Sequence, residues 1–363
     1  MTATIICLLI LVPYAAWLIA SVRALRRHRH APAPQKTDSS EPLTVIVCTH
    51  HETTDELSRC LDSLTSALAP TDSLIVVTDH TPEATTSWLA SSYPRASVIA
   101  NPLSQGKKFA QRAAVLHATT RAIVSIDADC QVSPRFISSV RSAIPPEPDF
   151  MILLPVIMRG DGFFSSMMEM EFACLQVVTA GSALITHPTM ANGAGMAFSR
   201  SLFLAHDPDA RFSSGDDMFL LAHAIASHAT ISSAATPSAL VTTAAPPSVA
   251  AYLRQRTRWL GKAGGYSSSR GGRDVMLLAV SVLLAVIAWP VAALCAATGL
   301  APWWTAALVF CLKLTLDVSA FCAGRRLLRS SVSVLYAIPL EFLYPLMTIV
   351  VAFRAMLTDR HKW

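Results

Sequence analysis

Charge is what this chain has least of. Of its 363 residues only 15% are Asp, Glu, Lys or Arg, while 52% are hydrophobic; roughly a quarter charged is usual for a soluble domain. That balance excludes a disordered chain. The net charge of +5 is too thinly spread for a protein that holds nucleic acid by bulk electrostatics. The eight cysteines form no C-x-x-C pair, so neither a zinc knuckle nor a disulfide framework is supported, and reduced, buried thiols are expected. The eleven histidines contain no H-E-x-x-H, which removes the zinc-hydrolase reading, and no G-x-x-x-x-G-K-[ST] phosphate loop is present.

What is abundant is apolar sequence, concentrated at the two ends. Ala3 to Val22 is a run of about the 20 residues a helix needs to cross a bilayer. The basic cluster Arg23, Arg26, Arg27, His28, Arg29 follows the run instead of preceding it. That order predicts an uncleaved anchor whose basic end stays in the cytosol. Ala31 to Pro42 reads as a polar, Pro-rich linker. Val275 to Leu300 and Pro302 to Ala323 predict a membrane hairpin, with Arg270 and Arg273 before it and Arg325, Arg326 and Arg329 after it. The last run, Val332 to Phe353, is open to two readings. As a span it would put Arg354, Arg360, His361 and Lys362 outside, against the charge rule; Pro339 and Pro345 would suit a re-entrant or interfacial piece. Lys313, Asp317 and Glu341 fall inside these runs. They read either as a self-satisfied ionic group or as a polar lining for a lipid phosphate or a glycan.

The middle of the chain alternates strand and helix patterns. Leu43–Cys48, Ser73–Thr78, Ala96–Ala100 and Ala122–Ile126 have the length and β-branching of buried strands. Helix patterns occupy Asp55–Leu68 and Lys107–Thr120. Such alternation predicts an open α/β sheet whose ligands bind beyond the carboxyl ends of the strands. Asp127-Ala128-Asp129 lies directly at such an end. Carboxylates at i and i+2 in extended chain point to one side, and two hard oxygen donors suit Mg²⁺ or Mn²⁺ carried by a diphosphate. Gln105-Gly106-Lys107-Lys108 opens a helix, either as a phosphate site or as an ordinary basic first turn. Asp216-Asp217, after Ser214-Gly215, either caps a helix or supplies a general base. Gln255-Arg256-Thr257-Arg258-Trp259 is either a juxtamembrane basic anchor or, as Q-x-x-R-W, a cation and a flat apolar face for a diphosphate and a sugar ring.

In this order the motifs, over Leu43 to Lys262, resemble the membrane-bound family 2 glycosyltransferases, which include the cellulose, chitin and hyaluronan synthases and ceramide glucosyltransferase. The segment Ala191-Asn192-Gly193-Ala194 to Phe198 is similar to the N-G-A-x-x-A-[FY] piece of bacterial members. The chain departs from many relatives at Thr78-Asp79-His80-Thr81, where they carry D-D-G-S. The resemblance implies a GT-A fold (an open mixed sheet flanked by helices) with one N-terminal and two to three C-terminal transmembrane helices. Its parts would be an anchor over 1–24, a linker over 25–42, the GT-A domain over 43–270 and a membrane domain over 271–363. It further implies that Thr49, Glu52 and Asp79 hold the nucleoside and Lys107 the ribose–phosphate region. Asp127 and Asp129 would serve the nucleotide and a Mg²⁺ or Mn²⁺ ion, Asp129 more directly. Asp217, paired with Asp216, would be the base, and Asn192, Gly193, Gln255, Arg258 and Trp259 would serve acceptor and diphosphate. The expected reaction is inverting transfer from a UDP- or GDP-sugar to a lipid-linked or surface-glycan acceptor. It would take place at the cytosolic face of a bacterial inner membrane, with no nucleic-acid partner. A processive polysaccharide synthase and a non-catalytic membrane subunit are the competing expectations.

Overall fold

The structure, a computed structural model, describes residues 2–30, 41–101, 106–206, 215–261 and 270–357. Most of the linker, Gln105, Ser214, Lys262 and the basic C-terminal residues Arg360, His361 and Lys362 lie outside the described residues. The chain divides into two compact units. One is built from the strands between Leu43 and Met158 together with Met190–Ala244. The other combines Met1–His30, Arg159–Thr189 and Ala245–Thr358. Arg159–Thr189 and the Q-x-x-R-W segment belong to the unit that holds the apolar helices.

In the α/β unit, β1 (Leu43–Thr49), α3 (Thr54–Thr65), β2 (Ser73–Thr78), α4 (Glu83–Ser92), β3 (Ala96–Ala100), α5 (Lys107–His117) and β4 (Ala122–Asp127) follow one another; the four strands, α3 and α5 lie where the sequence pattern predicts, and α4 is an addition to it. They precede β5 (Gln131–Val132), α6 (Phe136–Arg141), β6 (Phe150–Leu153) and β7 (Val156–Arg159), then β8 (Gly195–Ser199), α8 (Arg200–Ala205), α9 (Asp216–Ala226), β9 (Thr230–Ser233) and β10 (Val241–Ala244). Seven strands form one sheet in the order β3-β2-β1-β4-β8-β6-β9. β1 runs parallel to β2 and β4, and β2 to β3, whereas β8 runs antiparallel to both β4 and β6. The sheet is mixed. A second sheet has the order β5-β10-β7. The β-branched runs are hidden on both faces, Val45, Ile46, Val47, Val76, Ile123 and Val124 being almost wholly buried, as strands covered by helices on both sides must be. Thr53 starts α3 with a reciprocal capping box with Glu56, and Leu57, Cys60, Leu61 and Leu64 form its buried stripe.

The helical unit holds α1 (Thr2–Leu9), α2 (Val12–His30), α7 (Gly162–Leu184), α10 (Val249–Leu260), α11 (Arg270–Ala297), α12 (Trp304–Gly324) and α13 (Ala337–Leu357). Among the described residues four helical stretches are long and apolar enough to cross a membrane: Thr2–His30, Gly272–Ala297, Trp304–Gly324 and Val334–Leu357. One is N-terminal and three are C-terminal. The last run forms one continuous α-helix after a short 3-10 turn at Val334–Tyr336. Pro339 is the third residue of that helix, where its missing N–H has no intrahelical partner to lose; Pro345 sits inside it. Gly181 in α7 has no space for a side chain, since a Cβ there would lie 2.5 Å from the Ser21 Cα. That contact brings α2 and α7 backbone to backbone.

Candidate functional site

Parallel strands β1, β2 and β4 end side by side in Thr49, Thr78 and Asp127. Thr49 is buried and donates from Oγ1 to Glu52 Oε2 at 2.9 Å, and the same oxygen accepts the His50 backbone N–H at 2.7 Å. Glu52 thus folds the turn after β1. One residue past β2, the Asp79 N–H continues the ladder to the Thr49 carbonyl at 2.9 Å, and the His50 ring Nδ1 lies 2.6 Å from the Asp79 carbonyl oxygen. The Asp79 carboxylate is 3% exposed, and its Oδ1 has no hydrogen-bond partner among the described residues. His80 Nε2 lies 3.9 Å from that oxygen. A buried acceptor left open at a strand end is a place for a ligand N–H. The rings of His51 and His80 lie 3.7 Å and 5.6 Å, centroid to centroid, from that of His50. Sequence reasoning missed this imidazole cluster; the tandem His50-His51 after β1 was the available signal.

At the end of β4 the antiparallel neighbour β8 matters. Its register sets Ile126 opposite Gly195, and the Asp127 N–H reaches the Ala194 carbonyl at 3.2 Å. This brings Asn192-Gly193-Ala194 beside the D-x-D segment. A Cβ on Gly195 would lie 2.7 Å from Val241 Cγ2, so the close approach of β8 to β10 requires glycine there. Lys107, at the start of α5 after Gly106 (φ +89°), donates to the Asp127 carboxylate and, at 3.3 Å, to the Gly193 carbonyl. The Asp217 carboxylate accepts the Gly193 N–H at Oδ2 (2.9 Å) and the Met218 N–H at Oδ1 (2.8 Å). Asp216 and Asp217 form the first turn of α9, where a carboxylate meets the positive end of the helix dipole. Thr49, Glu52 and Asp79 thus share one end of the sheet with Lys107, Asp127, Gly193 and Asp217.

Asp127 and Lys107 shift each other. Burial pushes the Asp127 carboxyl above its ordinary value; Lys107 opposes this, while Asp129 and Asp217 add to it. Burial works against the Lys107 ammonium, yet Asp127 and Asp216 outweigh it and hold the lysine above its usual range. The Cys48 thiol, in register with Asp127, is pushed up to about 12, chiefly by burial.

Asp129 is exposed, and its Oδ2 accepts from Thr243 Oγ1 at 3.0 Å. Thr243, on β10, was not legible as a site residue. Among the described residues no three His, Cys, Asp or Glu side chains gather as a metal site. One oriented carboxylate, with a second engaged by a lysine, fits a hard divalent cation that takes its remaining ligands from phosphate oxygens.

Gln255, Arg258 and Trp259 lie on α10, in the helical unit. Arg258 is exposed and Trp259 half-buried. The residue between them in the motif, Arg256, was not singled out by the sequence. It pairs with Glu171 of α7, both largely buried, and its guanidinium lies 4.4 Å from the Trp259 ring centroid and 5.0 Å from that of Tyr252.

Residues 41–262 match the family described as "Glycosyltransferase like family 2". An N-acetylglucosaminyltransferase of Rhizobium meliloti (strain 1021) is 26% identical, over 92% of this chain and 82% of its own. Among solved structures, the mannosyltransferase PcManGT from Pyrobaculum calidifontis, in complex with GDP-Man and Mn²⁺, superposes with a TM-score of 0.60. That match covers 98% of each chain at 16% identity, a likeness of fold. The architecture is GT-A.

Proposed function

Since the chain belongs to glycosyltransferase family 2 and is a hexosyltransferase, we propose that it moves one sugar, with inversion, from a UDP- or GDP-sugar to a lipid-linked or surface-glycan acceptor. The observation that carries this is the convergence of Asp217, Gly193, Lys107 and Asp127 through hydrogen bonds at one sheet end, from four separate stretches of sequence.

On this reading the open Asp79 carboxylate takes an N–H of the nucleobase, beside Thr49 and Glu52. Lys107 holds Asp127 in place and adds positive charge where the diphosphate lies. Asp129, backed by Thr243, and Asp127 would hold Mg²⁺ or Mn²⁺, which supplies charge neutralisation to the departing nucleoside diphosphate. Asp217 is the base: its carboxylate is oriented by two backbone N–H groups and takes the proton of the acceptor hydroxyl as that oxygen attacks the anomeric carbon from the face opposite the diphosphate. One in-line displacement inverts the centre. Asp216 supports Lys107 electrostatically. Asn192 and Gly193 border the base, and Gln255, Arg258 and Trp259 serve diphosphate and acceptor. The basic residues Arg23, Arg26, Arg27, His28 and Arg29 in the C-terminal half of α2 favour, by the positive-inside rule, a catalytic face in the cytosol, and the membrane would be a bacterial inner membrane.

The test is a screen of sugar nucleotides with the purified full chain and Mn²⁺ or Mg²⁺, reading released nucleoside diphosphate and glycosylated product. Asp217→Asn is expected to abolish transfer while retaining nucleoside diphosphate binding, and Asp129→Ala to weaken the metal-dependent part of that binding. Wild-type transfer by Asp217→Asn would remove the base assignment.

A further inference from the structure

Inside the helical unit lies a cavity of about 70 Å³, room for several waters or a glycerol-sized head. Its walls are apolar except for two groups of polar side chains. In the first, the three N–H groups of Lys313 are directed at Asp317 Oδ2 (2.8 Å) and at both oxygens of Glu341 (2.9 Å each), while the Tyr14 hydroxyl donates to Asp317 Oδ1 at 2.5 Å. In the second, the Tyr344 hydroxyl donates to Glu171 Oε1 at 3.3 Å, and Arg256 donates to the other oxygen. Lys313, Glu171 and Glu341 are each at least nine-tenths buried.

Three carboxylates thus face two cations; the Lys313 N–H groups and both phenol hydroxyls are already directed at carboxylates, and Arg256, which does not line the cavity, gives one N–H group to Glu171. What the cavity still offers is acceptor capacity: the remaining lone pairs of the carboxylates and of the two phenol oxygens. A phosphate would meet a net negative field, with the Lys313 N–H groups already taken by Asp317 and Glu341. An ammonium would find the field favourable, but entering an apolar bundle would strip its hydration shell. An uncharged hydroxyl donates a hydrogen bond, carries no charge, and leaves its hydrocarbon to walls such as Val282 and Leu340.

We propose that this cavity binds the hydroxyl head of an uncharged membrane lipid of the diacylglycerol type, and not a lipid phosphate. The site is independent of which acceptor the enzyme glycosylates. Its occupant touches Glu171, the carboxylate that holds Arg256 against the Trp259 ring, so occupancy bears on the orientation of the Q-x-x-R-W helix. The sequence-level alternative of a pocket for lipid phosphate is disfavoured by the charge balance.

The test uses the full chain in phosphatidylcholine nanodiscs carrying a photoreactive diacylglycerol. Labelling is expected on peptides containing Val282 or Leu340, with competition by unlabelled diacylglycerol at least tenfold stronger than by phosphatidic acid, a polyprenyl phosphate or a long-chain alkylamine. Val282→Phe adds bulk to the wall without touching an ion pair, and is expected to lower labelling at least tenfold at an unchanged melting temperature. Labelling elsewhere, equal labelling of the variant, or equal competition by a phosphate lipid or the amine would overturn the proposal. Should Val282→Phe fail to fold, the competition series on the wild-type chain still decides. Labelling as expected without any sugar-nucleotide turnover would leave this site standing and remove the proposed reaction.

Discussion

Asp217 and Gly193, 24 residues apart, are joined by a hydrogen bond of 2.9 Å from the glycine N–H to the carboxylate Oδ2. The bond locks the orientation of the residue assigned as base and spends no side chain on it. It also explains why the N-G-A segment lies where it does, since β8 must pair with β4 to bring that N–H to α9.

Alanine and proline at position 193 should therefore behave differently. A Cβ there would lie 3.5 Å from Asp217 Oδ2 and from Lys107 Nζ, which is ordinary contact, and alanine keeps the N–H. Gly193→Ala is expected to retain transfer within a few-fold. Gly193→Pro deletes the donor; a hydrogen bond to a charged group contributes about 1.5–3 kcal/mol, so the turnover rate should fall roughly 10- to 100-fold. Equal rates for the two variants, measured by nucleoside diphosphate release, would mean that this N–H does not position the base.

The Lys107–Asp127 pair sets a pH dependence with a definite sign. Burial, aided by Asp129 and Asp217, raises Asp127, so its charge is lost at higher pH than in a free aspartate. The acid limb of nucleoside diphosphate binding should lie above the usual aspartate value. Lys107 is the factor holding Asp127 down, so Lys107→Met is expected to move that limb to still higher pH. For folding, the raised lysine contributes stability that is complete below the ordinary lysine value and is lost as pH climbs through the raised one. Thermal unfolding should thus show no loss from this group until strongly alkaline pH. A limb that does not move in Lys107→Met would disconnect the two residues.

The first four strands, α3, α5 and the apolar helices were legible because each satisfies a local rule: β-branched runs with turn residues after them, a leucine stripe at helical spacing, lengths matched to a bilayer. So were the acids at strand and helix ends. What stayed hidden depends on contacts between distant stretches. Glu171 meets Arg256 across 85 residues and Thr243 meets Asp129 across 114, and no periodicity announces either. Helix α7 carries Glu169 and Glu171 in the middle of an apolar stretch. Both are buried, Glu169 accepting from Ser330 and Glu171 from Arg256, so partners far along the chain decide its environment. For the same reason its grouping with the apolar helices could not be read from residues 43–270 alone.

Gly195 offers a stability test that does not touch the chemistry. The methyl of Gly195→Ala would sit 2.7 Å from Val241 Cγ2, and Val241 is fully buried. Overpacking of this kind costs about 1–3 kcal/mol and should lower the melting temperature. Val241→Ala removes the obstructing methyls, so the double variant should be more stable than the sum of the two single losses predicts. Strict additivity in thermal melts would show that β8 and β10 do not press on each other here.

Arg256 lends itself to a final cycle. Arg256→Met leaves Glu171 buried without its cation, and removing one partner of a buried pair costs about 3–5 kcal/mol. Because Tyr344 still donates to Glu171, the carboxylate is not wholly stranded, and the loss should fall at the lower end. Pairing Arg256→Met with Glu171→Met removes both charges and should recover much of the stability. Arg256→Lys separates charge from shape: it keeps a cation for Glu171 but not the planar guanidinium lying 4.4 Å from the Trp259 ring centroid. If the stacking orients Trp259, Arg256→Lys should melt close to wild type yet show a raised KM for acceptor with donor KM unchanged. Parallel losses of stability and acceptor binding across Lys and Met would reduce Arg256 to a packing residue.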